Sequence, residues 1–206
     1  MIIENDYGAA DLDYSCFYEN KKIAICISGG IDSTLLLYFY SNFFKAKNIK
    51  YNLITYNDKS RGWIKNTANK IAEILPGHTQ HFFPEYDSEV VPLEQAGIEM
   101  ISDLHENGYV DIVITGLSKN PPLEVCQSFN TYFDENRTDI KRIEHPVETL
   151  SVCRPFNVNK KWIVEEYKNN NLTHLLPITV SCGAKKNFPC GKCFRCKKRE
   201  WALSNI

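Results

Sequence analysis

Two short stretches of this chain carry residue types that do chemistry. The first is Ser28-Gly29-Gly30-Ile31-Asp32-Ser33-Thr34. Adjacent glycines reach dihedrals that a Cβ forbids and let backbone N–H groups close on an anion. A helix starting near Asp32 aims further N–H groups and its positive dipole end at the same place. Ser28, Ser33 and Thr34 add hydroxyl donors, so the string is a phosphate cradle in principle. It is not a Walker loop, whose glycine spacing and Lys are absent. A plain strand–turn–helix connection, with Asp32 or Ser33 as the helix cap, is the other reading. The second stretch holds Cys182, Cys190, Cys193 and Cys196, four of the chain's eight cysteines within fifteen residues. Four thiolates at this spacing form a closed tetrahedral zinc site with a structural role. Reduced, unligated thiols and an iron–sulfur cluster are the alternatives. Lys185, Lys186, Lys192, Arg195, Lys197, Lys198 and Arg199 stand around the cluster in sequence and would offset its charge.

The elements that must position these residues alternate. Lys22–Ile27 is an apolar run, a buried strand that leads into the glycines. Ser33–Phe44 is apolar almost all round, as a buried helix is. Lys50–Tyr56 reads as a second strand, Trp63–Leu75 as a helix stopped at Pro76-Gly77, and His78–Phe83 as a third strand. Pro92 opens a helix that runs to Gly108, and Asp111–Gly116 is a fourth strand. The alternation predicts an α/β fold with a parallel sheet and helices on both faces. Ligands then bind at the carboxyl ends of the strands, where Ser28–Ser33, Thr55–Lys59 and Gly116–Pro122 all fall. Residues 1–20 read as an arm or an irregular first element. Residues 117–145 are polar and read as a surface loop of the length that lids and binding loops have. Lys160–Lys168 and Cys193–Leu203 are helices, with a turn at Leu172–Pro177. The expected organisation is an arm at 1–20, a nucleotide-binding α/β domain at 21–150 and a helical zinc-binding region at 151–206.

Composition bounds the partners. With 24 basic and 25 acidic residues the net charge is −1, which gives no global case for nucleic acid or an anionic membrane. No apolar run approaches 18 residues, so no membrane span is expected. Met1–Asp6 lacks an apolar signal core, so the expected location is the cytoplasm. The cysteine cluster therefore reads as a metal site rather than a disulfide framework. The stretch from Lys185 to Arg199, interleaved with Phe188, Phe194 and Trp201, could touch nucleic acid. A solvated face around a thiolate cluster is the plainer reading.

The string Ser28-Gly29-Gly30-Ile31-Asp32-Ser33, with a strand before it and a helix after it, resembles the signature of the PP-loop ATP pyrophosphatase superfamily. The resemblance implies a three-layer nucleotide hydrolase-like fold, with ATP cleaved between its α and β phosphates and Mg²⁺ neutralising the pyrophosphate. The C-terminal stretch Thr179–Cys182, Pro189–Cys196 and Arg199 resembles the end of the 7-cyano-7-deazaguanine synthase family of queuosine biosynthesis. That family carries the same loop near its N-terminus and a four-cysteine Zn²⁺ site at its C-terminus. It turns a 7-carboxy-7-deazaguanine into the nitrile with ATP and ammonia, through an amide. Carried over by position, Ser28, Gly29, Gly30, Asp32, Ser33 and Thr34 bind ATP, with Thr55, Tyr56 and Gly116 beside it. Asp32 and Lys160 are the catalytic pair, and Cys182, Cys190, Cys193 and Cys196 hold the metal. The implied partners are a deazapurine, ammonia and a second copy in a homodimer. The chain departs from the family at Tyr56-Asn57-Asp58-Lys59-Ser60-Arg61 and at Gly116–Pro122, both near the acceptor. Compact phage-type relatives share Arg154-Pro155-Phe156 before the Lys. A different PP-loop enzyme, such as a tRNA sulfur transferase, and a non-catalytic nucleotide- and zinc-binding module are the competing functions.

Overall fold

The computed structural model describes residues 1–12, 14, 17, 21–87, 90, 93–116, 118–131, 142–144, 151–153, 157–184 and 189–204. The expected helix start at Pro92, residues 117, 132–141 and 145 of the expected loop, the Arg154-Pro155-Phe156 string, Cys16, Lys185, Lys186 and Phe188 lie outside them.

The chain opens with an antiparallel hairpin of β1 (Ile2–Asn5) and β2 (Gly8–Asp11), with Ile2 opposite Asp11. Within the stretch read as an arm or an irregular first element, residues 2–11 are thus a regular hairpin. Gly, Ala and Asp are poor strand formers, so nothing local announced β2. Its place comes from tertiary burial of Ala10 and Leu12 in the main core, and from Asn5 Nδ2, which donates to Glu166 Oε1 at 2.8 Å.

Next come β3 (Ile23–Cys26), α1 (Ile31–Lys47), β4 (Tyr51–Ile54), β5 (Asn57–Asp58), α2 (Trp63–Ile74), β6 (His81–Phe82) and β7 (Glu85–Tyr86). They are followed by α3 (Leu93–Glu106), β8 (Ile112–Thr115), α4 (Leu123–Ser128), β9 (Arg142–Glu144) and β10 (Ser151–Cys153). The chain closes with α5 (Lys160–Asn169), a short 3₁₀ turn at Thr173–Leu175 and α6 (Phe194–Leu203). The main sheet has the order β6-β4-β3-β8-β10-β9; its first five strands are parallel, and β9 runs antiparallel on the edge. The expected parallel sheet is thus present, with β10 added one residue beyond 150. A three-residue strand carries too little periodicity to be read from sequence. The polar stretch from 117 contributes α4, so it is not loop throughout.

Alternation along β3 divides the core. Ile23, Ile25 and Ile27 face α1, α2 and α5, together with Leu35, Leu36, Ala68, Ile71, Trp162 and Ile163. Ala24 and Cys26 face the other side with Val113, Ile101 and Val110. Apolar residues on both faces explain why these strands read as continuous hydrophobic runs. Because β4 lies on one side of β3 and β8 on the other, the chain's direction of travel reverses at β3. A crevice opens at such a reversal, at the carboxyl edge of the sheet. Among the described residues no helix is long and apolar enough to cross a membrane.

Candidate nucleotide and metal sites

The glycine loop stands in that crevice. Gly29 has φ 75°, in the left-handed region, and a Cβ there would meet Thr67 Cγ2 at 2.5 Å. Glycine is therefore required twice over, for dihedral and for space. Gly30 is the N-cap of α1, and no side chain caps the helix. This decides against Asp32 or Ser33 as the cap. The first N–H groups of α1 are left facing the crevice, without the side-chain acceptor that a Ser or Asp cap supplies. Ser33 Oγ accepts from Ser28 N–H at 3.2 Å and sits 3.3 Å from Ser28 Oγ. The Ser28 side chain is exposed at the loop's mouth. Gly116, at the end of β8, is close-packed against α1: a Cβ would lie 3.1 Å from the carbonyl of Asp32.

Two residues grouped with this loop brace it from behind. Thr34 is buried and its hydroxyl donates to Gly30 O at 2.9 Å. Thr55 is fully buried; its hydroxyl donates to Ile27 O and lies 2.9 Å from His81 Nε2. Burial, and then the neighbouring His78, hold the His81 imidazole down at about 4. Tyr56 is half-buried at the same edge, within sulfur hydrogen-bond reach of Cys26.

Asp32 is not a loop residue but the second residue of α1. Its carboxylate forms an ion pair with the ammonium of Lys160, the first residue of α5, and accepts from Ser118 Oγ at 2.8 Å. Burial alone would raise the Asp32 carboxyl. The Lys160 ammonium, then that of Lys198, and the hydrogen bonds from Lys160 and Ser118 hold it below the usual carboxylate range. Asp32 therefore ties α1 to α5 as well as standing beside the loop. Sequence reasoning also missed three residues of α5 and α6 that face inward. Tyr167 Oη donates to Ile31 O at 3.0 Å. Lys198, 5% exposed, donates to Ser118 O at 2.9 Å, and Arg199 donates to Thr179 Oγ1 and Leu176 O. Neither Lys198 nor Arg199 belongs to a solvated shell. Ile163 and Tyr167, four residues apart and both fully buried, are the sequence signal for which face of α5 turns in.

The cysteine cluster is compact. All four Sγ atoms lie within 4.8 Å of one another, with neighbours at 3.7 Å for Cys182–Cys190, 3.9 Å for Cys182–Cys193 and 3.6 Å for Cys193–Cys196. Four sulfurs at about 2.3 Å from one zinc stand about 3.8 Å apart, so this donor set fits a single tetrahedral ion. A cubane cluster interposes irons and sulfides and needs wider sulfur separations. N–H groups of the knuckle face the thiols: Lys192 and Cys193 donate to Cys190 Sγ and pull that thiol down to about 6. The set can hold a metal.

A cavity of about 390 Å³ lies between the hairpin turn at Tyr7, the stretch Lys119–Pro122 and Asn157–Asn159. Asn157 Oδ1 is buried and has no hydrogen-bond partner among the described residues. Its walls adjoin Ser118 and Lys160, the two residues that hold Asp32.

Comparison with known proteins bears on the whole arrangement. The chain overlays the U34-tRNA thiolase NcsA from Methanococcus maripaludis, a structure with its [4Fe-4S] cluster, with a TM-score of 0.56 at 17% identity. The overlay covers 92% of this chain and 68% of that one. The chain has the fold of that thiolase, an α/β sandwich built on a parallel sheet. It is also 28% identical over 107 residues to a tRNA-cytidine(32) 2-sulfurtransferase of Enterobacter sp. (strain 638), and 28% identical over 97 residues to that of Saccharophagus degradans. The Enterobacter match takes in 52% of this chain and 28% of the relative's length; the Saccharophagus match takes in 47% and 25%. No family model matches the chain.

Proposed function

We propose that this PP-loop protein is an ATP-dependent adenylating enzyme that amidates a carboxylate on a 7-deazaguanine-type ring. The observation that carries the ATP reading is the uncapped N-terminus of α1 behind Gly29 and Gly30, at the strand reversal. There the loop N–H groups and Ser28 receive the β and γ phosphates, with Mg²⁺ sharing their charge. Ser33 shapes the loop, and Gly116 leaves room for α1 to approach β8. Tyr56 lies at the edge where the adenine would rest. Asp32 and Lys160 fix the register of the loop against α5, and Lys160 adds positive charge on its inner side.

The acceptor carboxylate oxygen attacks the α phosphorus and the bond to the β phosphate breaks. Pyrophosphate leaves with the electron pair. Ammonia then adds to the acyl carbon, AMP departs, and the nitrogen loses a proton to give the amide. Dehydration of that amide to a nitrile needs a second ATP and runs by the same activation. The cavity lined by Tyr7, Asn120, Asn157 and Asn159 offers an aromatic ring and amide side chains to a planar heterocycle. Cys182, Cys190, Cys193 and Cys196 would hold Zn²⁺ that ties the C-terminal region together, and four protein ligands would leave it no role in the chemistry.

Sulfur transfer to a tRNA base is the second reading, and the names of the matched relatives favour it. The cysteines weigh against it. Among the cysteines whose side chains are described, which leaves out Cys16 and Cys153, Cys26 and Cys126 are buried, burial raises the Cys126 thiol, and four others are held in the cluster. A sulfur carrier needs an exposed, low-pKa thiol. The test is incubation of the zinc-loaded protein with α-labelled ATP, ammonia and either 7-carboxy-7-deazaguanine or its amide. AMP and pyrophosphate formed only with acceptor are expected. ADP as product, or AMP formed only when a sulfur donor and tRNA are supplied, overturns the assignment.

A further inference from the structure

Two short paths join the cysteine cluster to the phosphate loop. The first is backbone. Val180 N–H donates to Gly29 O at 2.8 Å, and Val180 stands two residues before Cys182. A Cβ on Gly30 would lie 3.5 Å from Ser181 Oγ and from Val180 O, so this segment lies directly against the loop. The second path runs through side chains. Helix α6 begins at the cluster, with Cys193 as its N-cap and Cys196 in its first turn. Two residues on, Lys198 donates to Ser118 O, and Ser118 Oγ donates to Asp32 Oδ2. Arg199 fixes Thr179 and Leu176, at the start of the stretch that reaches Val180.

A helix of ten residues has little stability of its own, and no side chain caps this one. It packs on α5 and the main core through Trp201 and Ala202, and its first turn is tied to the cluster through Cys193 and Cys196. Cys193 and Cys196 lie on α6 and its cap, whereas Cys182 lies on the segment that carries Val180. An ion bound by all four therefore clamps α6 to the segment lying on the loop.

We propose that Lys198 is a positioning residue that carries metal occupancy of the four cysteines to the phosphate loop, so that metal and nucleotide each favour the other's binding. Lys198 acts through Ser118 and Asp32, not by touching phosphate. The inference rests on the readings above, that the loop takes ATP and the cysteines take zinc. Linkage requires the effect to be reciprocal, and couplings of this kind run from about 5-fold to 150-fold.

The experiment uses the full chain in three forms, wild type, Lys198→Met and Lys198→Arg. Each is titrated with Mg-ATP by calorimetry, zinc-loaded and after chelation. Amide hydrogen exchange of residues 29–34 is followed in parallel without nucleotide. Wild type should bind ATP about 10-fold more tightly with zinc, and its loop amides should exchange about 10-fold more slowly. K198M should keep one zinc per chain, yet its zinc-dependent ratio should fall below about 2-fold, with the loop already fast when zinc-loaded. K198R, which keeps the donor, should recover most of the ratio. Equal ATP affinity with and without zinc in wild type overturns the proposal. So does a zinc-loaded K198M whose loop exchanges as slowly as wild type, a comparison that needs no chelated protein. No ATP binding by zinc-loaded wild type sinks the nucleotide reading and the coupling with it, whereas equal ATP affinity with and without zinc sinks the coupling alone. Failure to take up zinc sinks the metal reading and the coupling together.

Discussion

Removing the charge of Asp32 should destabilise the folded chain, not just its chemistry. Asp32 and Lys160 have side chains 15% and 7% exposed, so both charges are largely out of water. Breaking a buried pair by removing one partner costs about 3–5 kcal/mol, because the other charge is left uncompensated. Asp32→Asn keeps the size and an acceptor for Ser118, and the site retains some access to water, so the lower end applies, about 3 kcal/mol. With Asn at 32, the ammoniums of Lys160 and Lys198 lack their shared counter-charge. Adding Lys160→Met removes one of them, so the double variant should be more stable than the sum of the singles predicts, by about 2 kcal/mol. The assay is urea unfolding read by tryptophan fluorescence, to which the fully buried Trp162 on α5 contributes. At a slope of about 2 kcal/mol/M, Asp32→Asn should lower the midpoint by about 1.5 M. A midpoint shift under about 0.5 M, or strict additivity of the two substitutions, would refute the pair as a structural element.

Gly29→Ala should cost about 3 kcal/mol, from a left-handed φ and a Cβ 2.5 Å from Thr67 Cγ2. A fall in melting temperature of about 6–12 °C is expected, about half of it recovered by adding Thr67→Ala; an unshifted melt would show that the loop is not held as described. Cys193→Ser should abolish stoichiometric zinc and speed amide exchange in α6 before the sheet is affected; full zinc content in that variant counts against the four-thiolate set. Because the folded His81 titrates near 4 against an ordinary 6.5, the unfolded chain binds the extra proton between those values. Stability should therefore climb with pH across that window, and His81→Gln should flatten the climb in urea midpoints taken at intervals through it. Asp32, held below the usual carboxylate range, contributes stability that is present above the unfolded value and is lost only as pH falls through its folded one.

Local signals sufficed for the parts of this protein that are locally determined. Ile23–Ile27 had to be a buried strand, because five consecutive apolar residues need two covered faces. Gly29 had to be glycine for its dihedral, and the strand-to-helix context of Ser28–Thr34 marked the tight glycine turn at the sheet's carboxyl edge. The spacing of Cys182, Cys190, Cys193 and Cys196 marked a metal-capable set, because a knuckle and two neighbours suffice to bring four sulfurs together. Tertiary structure decided the rest. The hairpin at Ile2–Asp11 and the strand at Ser151–Cys153 are too short and too plain in composition to be read locally, and exist through what they pack on. That the hydroxyls of Thr34 and Thr55 are buried and donate to the carbonyls of Gly30 and Ile27 is likewise set by the fold and not by their own neighbourhoods. Above all, the pairing of Asp32 with Lys160 and the inward turn of Lys198 span 128 and 80 residues of sequence. Only the folded chain sets such distances, because the charges are brought together by the packing of α1, α5 and α6 and by nothing in their own neighbourhoods.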